Sequence, residues 1–352
     1  MTEVLHVQKV SGVSGSEAHL LSILPLLRDR GWNVRMLVLH QGEPGAREFV
    51  ERMRAVGVPT ETRQMRFDLD PGVTLSLARR RPDVLHTHLV HADVLGLPAG
   101  ALAGVPARIS TKHGFNEFRS NRLIAAGDRA AGRFAHRQIA ISSGLARYLE
   151  DTQGYARGTF TVVHYGIEPG PEPLLPPEAP RLAAVGRLIP IKGFDVLLDA
   201  FARARKQLPT LTLELAGDGP LAAELRSGAP EGVSLLGRVS PIDPVYQRNG
   251  IVVVPSRGEG FGMVALEAAE RGRAAIVSNV GGLPEIVVDG VTGSVVPADD
   301  AGALSAAIVT LASDPGRVRQ FGAAARERAL SSFSAERSAD GVERVYRETL
   351  AR

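Results

Sequence analysis

The first 167 residues alternate short apolar runs with longer stretches whose apolar positions recur every three or four residues. VLHVQKV, VRMLVLH, DVLHTHL, ARISTKH, RQIAIS and FTVVHYG have the length and composition of buried strands, whereas SEAHLLSILPLLRDR and AREFVERMRAVG have the period of amphipathic helices. Strands separated by stretches long enough for crossover helices predict a parallel sheet covered on both faces, a Rossmann-like domain. Between Glu168 and Pro180 the segment EPGPEPLLPPEAP carries six prolines, which neither a helix nor an inner strand accommodates. The pattern then restarts with RLAAVGR, a helix at FDVLLDAFARARKQL, and the apolar runs LTLELAG, VSLLGR, IVVVPS and AAIVS. The expectation is an α/β chain of two doubly wound parallel-sheet domains, residues 1–167 and 181–333, joined by a Pro-rich linker at 168–180. Residues 334–352 read as a capped helix, with Ser334 followed by Arg337 rather than the glutamate of a capping box. Local sequence does not place that helix; packing back on the N-terminal domain is one option. Ligands of such sheets bind beyond the carboxyl ends of the strands. The loops after VLHVQKV, ARISTKH, RLAAVGR and IVVVPS are therefore expected to converge, with the two domains facing each other across a cleft.

Composition narrows the picture. The 352 residues, 44% of them hydrophobic, suffice for two cores. The absence of cysteine excludes disulfides and thiolate metal sites. The start MTEVLHVQKV lacks the basic and apolar segments of a secretory leader, and no run approaches the roughly 18 apolar residues of a membrane span. A cytoplasmic setting is expected, with peripheral contact at the inner membrane surface as the one membrane association open to it. The net charge of +3 divides into +6 for residues 1–167 and −3 for residues 168–352, and all nine histidines lie in the first part. An anionic partner, either an acceptor molecule or a membrane surface, is one reading of that asymmetry, and an ordinary solvated face is the other. The basic stretch Arg119, Arg122, Arg129, Arg133 and Arg137 is offset between those positions only by Asp128. No nucleic-acid partner is expected.

Three segments carry chemistry. Glu259-Gly-Phe-Gly-Met-Val-Ala-Leu-Glu267 follows the strand IVVVPS and opens a helix. Its glycines let the backbone approach a ligand, and the N–H groups of Phe261, Gly262, Met263 and Val264 fall at a helix N-terminus, an anion site. At about 1.5 Å rise per residue, Glu267 lies roughly 7 Å beyond Gly262, about the step from a phosphate to a ribose. The second segment, Val185-Gly-Arg-Leu-Ile-Pro-Ile-Lys-Gly193, places Arg187 and Lys192 in the loop after a strand, in a chain with only four lysines. Cations aimed at a departing diphosphate stabilise the transition state more than the ground state. The third is Ser11-Gly-Val-Ser-Gly-Ser-Glu17, a glycine-containing loop between strand and helix. A dehydrogenase would carry an acidic residue at the end of the second strand, where this chain has His40-Gln41. Gly15 can still approach a phosphate. His86 and His88 share one strand face. Packed or hydrogen-bonded strand histidines are the first reading of them. A metal site from His86, His88 and His113 is the alternative, without accompanying carboxylate spacing.

On these residues the chain resembles the family 4 retaining glycosyltransferases of GT-B architecture. Glu259 and Glu267 match the two ends of the family's E-x7-E motif, with GFG between them, and Arg187 and Lys192 match its G-R…K-G diphosphate clamp. His113 in STKHG matches a histidine that the family sets against the donor hexose. Ser14-Gly15-Ser16-Glu17 departs from the usual Gly-Gly-x-Glu at the first glycine, and Arg271-Gly-Arg-Ala lacks the usual proline. VVHYGI, LAGDGP and GGLPEIVVDGVTGSVV extend the likeness over nearly the whole chain. The resemblance implies that Glu267 binds the nucleotide ribose, Glu259 faces the donor sugar, the backbone from Phe261 to Val264 contacts phosphate and sugar, and Gly15 approaches the donor phosphate. It implies retaining transfer from a nucleotide sugar to an acceptor hydroxyl, with Arg187, Lys192, His113 and Glu259 as the catalytic set. No Asp-x-Asp metal clamp follows a strand, so divalent metal is expected to be dispensable and no cofactor is expected beyond the donor. The alternatives are a nucleotide-sugar epimerase or phosphorylase on the same fold, a hydrolase using Glu259 and Glu267 as its carboxylate pair, and a non-catalytic nucleotide-sugar-binding protein.

Overall fold

The computed structural model describes residues 1–115, 122–170, 175–177 and 180–351. Phe118 and Arg119 of the basic stretch and Pro171 and Pro173 of the Pro-rich stretch lie outside the described residues, as does the side chain of Arg122. The chain forms two compact units, Met1–Gly166 with Ser334–Arg352, and Ile167–Phe333.

In the first unit seven strands form one parallel sheet: β1 (Glu3–Lys9), β2 (Asn33–His40), β3 (Thr60–Gln64), β4 (Val84–His88), β5 (Ala107–Lys112), β6 (Arg137–Ala140) and β7 (Phe160–Val162), in the order β3-β2-β1-β4-β5-β6-β7. Six of the seven follow the apolar runs of the sequence. The seventh, β3, was not expected: it is the sheet edge, and its residues TETRQ are mostly exposed, so it has no apolar run to betray it. The helices are α1 (Gly15–Asp29), α2 (Pro44–Ala55), α3 (Pro71–Leu77), α4 (Leu89–Leu102), α5 (Arg122–Gly132) and α6 (Ser143–Thr152). Several begin where a side chain supplies the missing acceptor. Asp70 accepts from Gly72 N–H at 2.8 Å ahead of Pro71, and Ser142 Oγ accepts from Leu145 N–H at 2.9 Å.

The second unit repeats the plan with β8 (Arg181–Val185), β9 (Thr212–Ala216), β10 (Val233–Gly237), β11 (Ile251–Val254), β12 (Ala274–Ser278) and β13 (Gly293–Val296), in the order β10-β9-β8-β11-β12-β13. Its helices are α7 (Phe194–Arg205), α8 (Ala222–Ser227), α9 (Asp243–Arg248), α10 (Met263–Glu270), α11 (Leu283–Ile286), α12 (Ala301–Ala312) and α13 (Pro315–Ser332). The strand β13 is again an unforeseen edge. Its core comes from the two faces of the sheet and the inner faces of α7, α12 and α13, including Leu182, Leu213, Phe201, Ile276, Ile308 and Phe321.

The last helix, α14 (Ala335–Leu350), belongs to the first unit, where its apolar face of Ala339, Val342, Val345 and Tyr346 joins the core beside α1. Ser334 Oγ caps it at Arg337 N–H, and Ser338 Oγ donates to the His164 carbonyl at 2.7 Å. Arg30, after the end of α1, meets Glu336, Asp340 and Glu343 on one face of α14 at 2.5, 2.7 and 3.2 Å.

The two faces of the first sheet bury different polar groups. On the face toward α4 and α5, Lys112 Nζ lies between Asp93 (2.7 Å) and Asp128 (2.8 Å), with all three side chains wholly buried. Asp93 also accepts from Thr87 and Ser110, and Asp128 accepts from the Tyr155 hydroxyl at 2.8 Å. Burial pushes the Asp93 carboxyl above its usual range, against the pull of Lys112. This corrects the reading of the basic stretch: Asp128 does not offset surface arginines, because it points into the core to pair with Lys112. Arg129 is also engaged, donating to the Gln153 carbonyl at 2.7 Å, which leaves Arg133 as the exposed cation among the described members. Among the described residues no helix is long and apolar enough to cross a membrane.

Removing one member of a buried charge cluster leaves the others unpaired, which costs about 3–5 kcal/mol. Lys112→Met is therefore expected to lower stability by about that amount, read as a fall in the urea midpoint with an unchanged slope.

Candidate functional site

The strand order of the second unit reverses between β8 and β11, so the loops that follow these neighbouring strands diverge to opposite sides and leave a crevice at their carboxyl ends. The loop after β8 holds Arg187 and a 3-10 turn at Pro190–Lys192, and the loop after β11 holds Ser256 to Gly262. The two loops are tied closely. Arg257 N–H donates to the Ile191 carbonyl at 2.8 Å, and its guanidinium reaches the Pro190 carbonyl, Asp195 and Asp299 at 2.6 to 2.9 Å. The Arg257 guanidinium holds the Asp195 carboxyl below its usual range. Gly193 sits at φ +65°, where a Cβ would meet the Pro255 carbonyl oxygen at 2.1 Å, so only glycine lets the loops approach this closely.

That approach brings Lys192 and Glu259 together. Lys192 Nζ donates to Glu259 Oε2 at 2.6 Å, with the side chains 22% and 17% exposed, and the buried Ser256 hydroxyl donates to the same oxygen at 3.3 Å. The two residues entered the sequence reading as separate actors; the structure pairs them. Arg187 is exposed, and its side chain has no hydrogen bond or ion pair among the described residues. One free and one paired cation therefore line the carboxyl end of β8.

Gly262 starts α10 at φ +114° and offers no side-chain cap, so the first N–H groups of the helix, at Met263 and Val264, depend on backbone, solvent or ligand for acceptors. A Cβ on Gly262 would lie 2.6 Å from Leu283, which again requires glycine. The Phe261 ring is buried edge-on to Phe333 at 5.6 Å. Glu267, one turn into α10, accepts from the Tyr246 hydroxyl at 2.9 Å. Burial raises the Glu267 carboxyl above the ordinary range, while the Tyr246 hydrogen bond and the Arg271 charge pull it down. Arg271 lies 5.1 Å from the Tyr246 ring centre and bonds Asp243 at 2.7 Å. The sequence reading missed Tyr246, Arg257 and Arg271 as supports of this site. Arg257 and Arg271 border the E-x7-E segment, but nothing local says where their guanidinium groups turn.

In the first unit Gly15 is the first residue of α1. The loop before it is held by Glu17, whose carboxylate takes the Ser14 N–H at 3.0 Å, the Ser14 hydroxyl at 2.6 Å and the Gln8 amide at 2.5 Å. His113 follows β5 and is half-buried. Its Nε2 bonds His88 Nδ1 at 2.8 Å and its Nδ1 bonds the Tyr165 hydroxyl. His86 and His88 are hydrogen-bonded strand histidines. Together with His6 they bring three nitrogens within 4.8 Å, but both nitrogens of every ring already have protein partners.

The chain and its fold have counterparts among known proteins. Residues 13–170 match the family model described as Glycosyltransferase Family 4, and residues 179–314 match Glycosyl transferases group 1. The alpha-maltose-1-phosphate synthase of Mycolicibacterium smegmatis is 31% identical over 308 residues, 76% of this chain and 79% of that protein. A D-inositol 3-phosphate glycosyltransferase of Rhodococcus jostii is 30% identical over 321 residues, 78% of this chain and 69% of the relative. Anabaena Alr3699/HepE, solved in complex with UDP-glucose, shares the fold with a TM-score of 0.84 at 21% identity over the whole of both chains. The sucrose-phosphate synthase of Thermosynechococcus elongatus does so with a TM-score of 0.81 at 20% identity, again over the whole of both chains.

The Tyr246 hydroxyl donates to the ionised form of Glu267 and so favours it. The Glu267 carboxyl is expected to titrate above the ordinary glutamate value of about 4.3, and Tyr246→Phe is expected to move it higher still. Carbon-detected NMR of the glutamate carboxyls against pH checks both.

Proposed function

The chain belongs to glycosyltransferase family 4, and on that premise we propose that it moves a hexose from a nucleoside-diphosphate sugar to an acceptor hydroxyl with retention of anomeric configuration. The observation that carries the reading is the grouping at the carboxyl ends of β8 and β11: Arg187, the Lys192–Glu259 pair, the uncapped start of α10 and Glu267 one turn further on. A nucleotide-sugar donor is further supported by HepE, whose crystal structure holds UDP-glucose.

In this mechanism the diphosphate lies at the N-terminus of α10, where the N–H groups of Met263 and Val264 and the helix dipole favour negative charge. Glu267 accepts from the ribose hydroxyls. Lys192 is held by Glu259 before the donor arrives. As the glycosidic bond breaks and charge grows on the leaving diphosphate, Lys192 and Arg187 stabilise it, and Glu259 turns to the sugar hydroxyls. The departing phosphate oxygen receives the acceptor proton. His113 is assigned to the donor sugar, and Gly15 to the donor phosphate. Arg187 and Lys192 supply the cations, so divalent metal is dispensable in this proposal and a chelator leaves turnover unchanged. An anionic acceptor fits the +6 charge of residues 1–167, and relatives are named for phosphorylated sugars and cyclitols.

Lys192→Ala and Arg187→Ala are each expected to lower turnover about 10²–10³-fold with the fold intact, as for other preorganised donors to a developing anion; near-normal turnover in folded Lys192→Ala sinks the proposal. Glu267→Gln is expected to weaken binding of the bare nucleoside diphosphate. Glu259→Gln is expected to spare or tighten it by up to about fivefold, because a partly exposed pair is worth at most about 1 kcal/mol, while impairing use of the intact donor. Calorimetry with the diphosphate and then with the nucleotide sugar separates these outcomes.

A further inference from the structure

The other buried face of the first sheet carries a continuous row of hydrogen-bonding side chains. The parallel register sets His6 of β1 beside His86 of β4, and His86 and His88 point to the same side. From one end, Thr111 Oγ1 bonds His86 Nε2 at 2.7 Å, and His86 Nδ1 bonds the Tyr346 hydroxyl at 2.7 Å. That hydroxyl bonds His6 Nε2 at 3.1 Å, and His6 Nδ1 bonds His88 Nε2 at 2.9 Å. His88 Nδ1 bonds His113 Nε2 at 2.8 Å, and His113 Nδ1 bonds the hydroxyl of Tyr165. The rings of His6 and His88 have centres 5.2 Å apart and planes 6° from parallel, which is the arrangement of an in-plane N–H···N bond rather than of stacked faces. Thr111, His86, Tyr346, His6, His88 and Tyr165 are buried; His113 alone is half-exposed.

The buried members of the row, His6, His86, His88 and Tyr346, are uncharged at ordinary pH. Burial lowers the His6 imidazole to about 3 and carries those of His86 and His88 well below their usual value. Burial likewise raises the Tyr346 phenol, so its proton stays on. A neutral imidazole has one N–H donor and one bare nitrogen acceptor. When both nitrogens of a ring are engaged, one must give and the other must receive. Every ring in the row is joined Nε2 to the Nδ1 side of the next, so a choice made at one ring is imposed on its neighbour. With His113 neutral as well, only two arrangements satisfy the links among His6, His88 and His113: all three carry the proton on Nδ1, or all three carry it on Nε2. Tyr346 is the hinge of that choice, since its hydroxyl can donate to His6 Nε2 or accept from it.

We infer that His6, His88 and His113 hold their protons as one unit, and that His88, His6 and Tyr346 are positioning residues deciding whether His113 offers a donor or an acceptor at Nδ1. That nitrogen faces Tyr165 rather than another imidazole, so a sugar hydroxyl can engage it without breaking the links between the rings. The shared proton placement stands on the hydrogen-bond geometry of neutral rings, and its consequence for the sugar rests on the assignment of His113 proposed above.

The test is long-range proton–nitrogen NMR of the full chain labelled in its histidine rings, recorded without donor, so that its failure is separate from failure of the turnover experiments. Wild type is expected to show one tautomer, or one common pair of populations, for His6, His88 and His113. In Tyr346→Phe the His6 Nε2 faces a phenyl edge. A buried N–H without an acceptor is less tolerated than a bare acceptor, so all three rings are expected in the Nδ1–H form. Unlike tautomers among the three rings in either protein, an Nε2–H on His6 in Tyr346→Phe, or stoichiometric zinc uptake by the imidazoles overturns the inference. If Tyr346→Phe does not fold, the wild-type spectrum decides alone, since three rings that differ refute the coupling and three that agree support it.

Discussion

A hydrogen-bonding side chain on a strand covered on both faces must find its partner inside the protein, because no water reaches it. The first sheet meets this constraint twice, once on each face, with different chemistry. Toward α4 and α5 a lysine is set between two aspartates, with threonine, serine and tyrosine hydroxyls filling the remaining acceptor sites. Toward α14 imidazoles and hydroxyls are linked in series, the buried imidazoles neutral. The ionic cluster fixes positions by charge, whereas the imidazole row fixes proton placement by counting donors and acceptors. The first arrangement penalises loss of any member; the second transmits a local change along its length.

The second unit solves a different problem. The polar groups of its candidate site stand on the loops after β8 and β11, and close approach of backbone determines what they touch. Gly193 lets the loop after β8 lie against Pro255, and Arg257 then fastens the two loops with its backbone N–H and terminal guanidinium nitrogens while its Nε reaches Asp299 beyond β13. Lys192 and Glu259, far apart in the chain, become neighbours as a result. The site is thus built by glycine and by an arginine that plays no part in the proposed chemistry.

Much of this was legible in sequence, and the omissions have physical causes. Inner parallel strands are largely apolar, so all nine of them announce themselves, as do the edges β7 and β10, and the two doubly wound sheets follow from their spacing. The exceptions, TETRQ and GSVV, are edges with one side open, where no apolar run is required. The E-x7-E segment and the Arg187–Lys192 loop were visible because their residues adjoin strand ends. Asp128 was misread because a charge in a basic stretch suggests a surface, and only the fold reveals that Lys112, on the neighbouring strand, turns inward to meet it. His86 and His88 could be put on a common face by alternation. Their partner Tyr346 could not be found that way, since it sits on a helix more than three hundred residues after His6 in the chain.

That separation bears on how the protein is made. The sheet of the first unit is complete in sequence by Val162, yet the residue that closes its imidazole row and the helix that covers its apolar face emerge from the ribosome only after the whole of the second unit. Until then the nascent first unit holds an open groove lined by α1 and by imidazoles that water must satisfy. The last step of synthesis is therefore also the step that dries this interior, and a chain cut short after Phe333 would carry a finished second unit beside a first unit that is still wet.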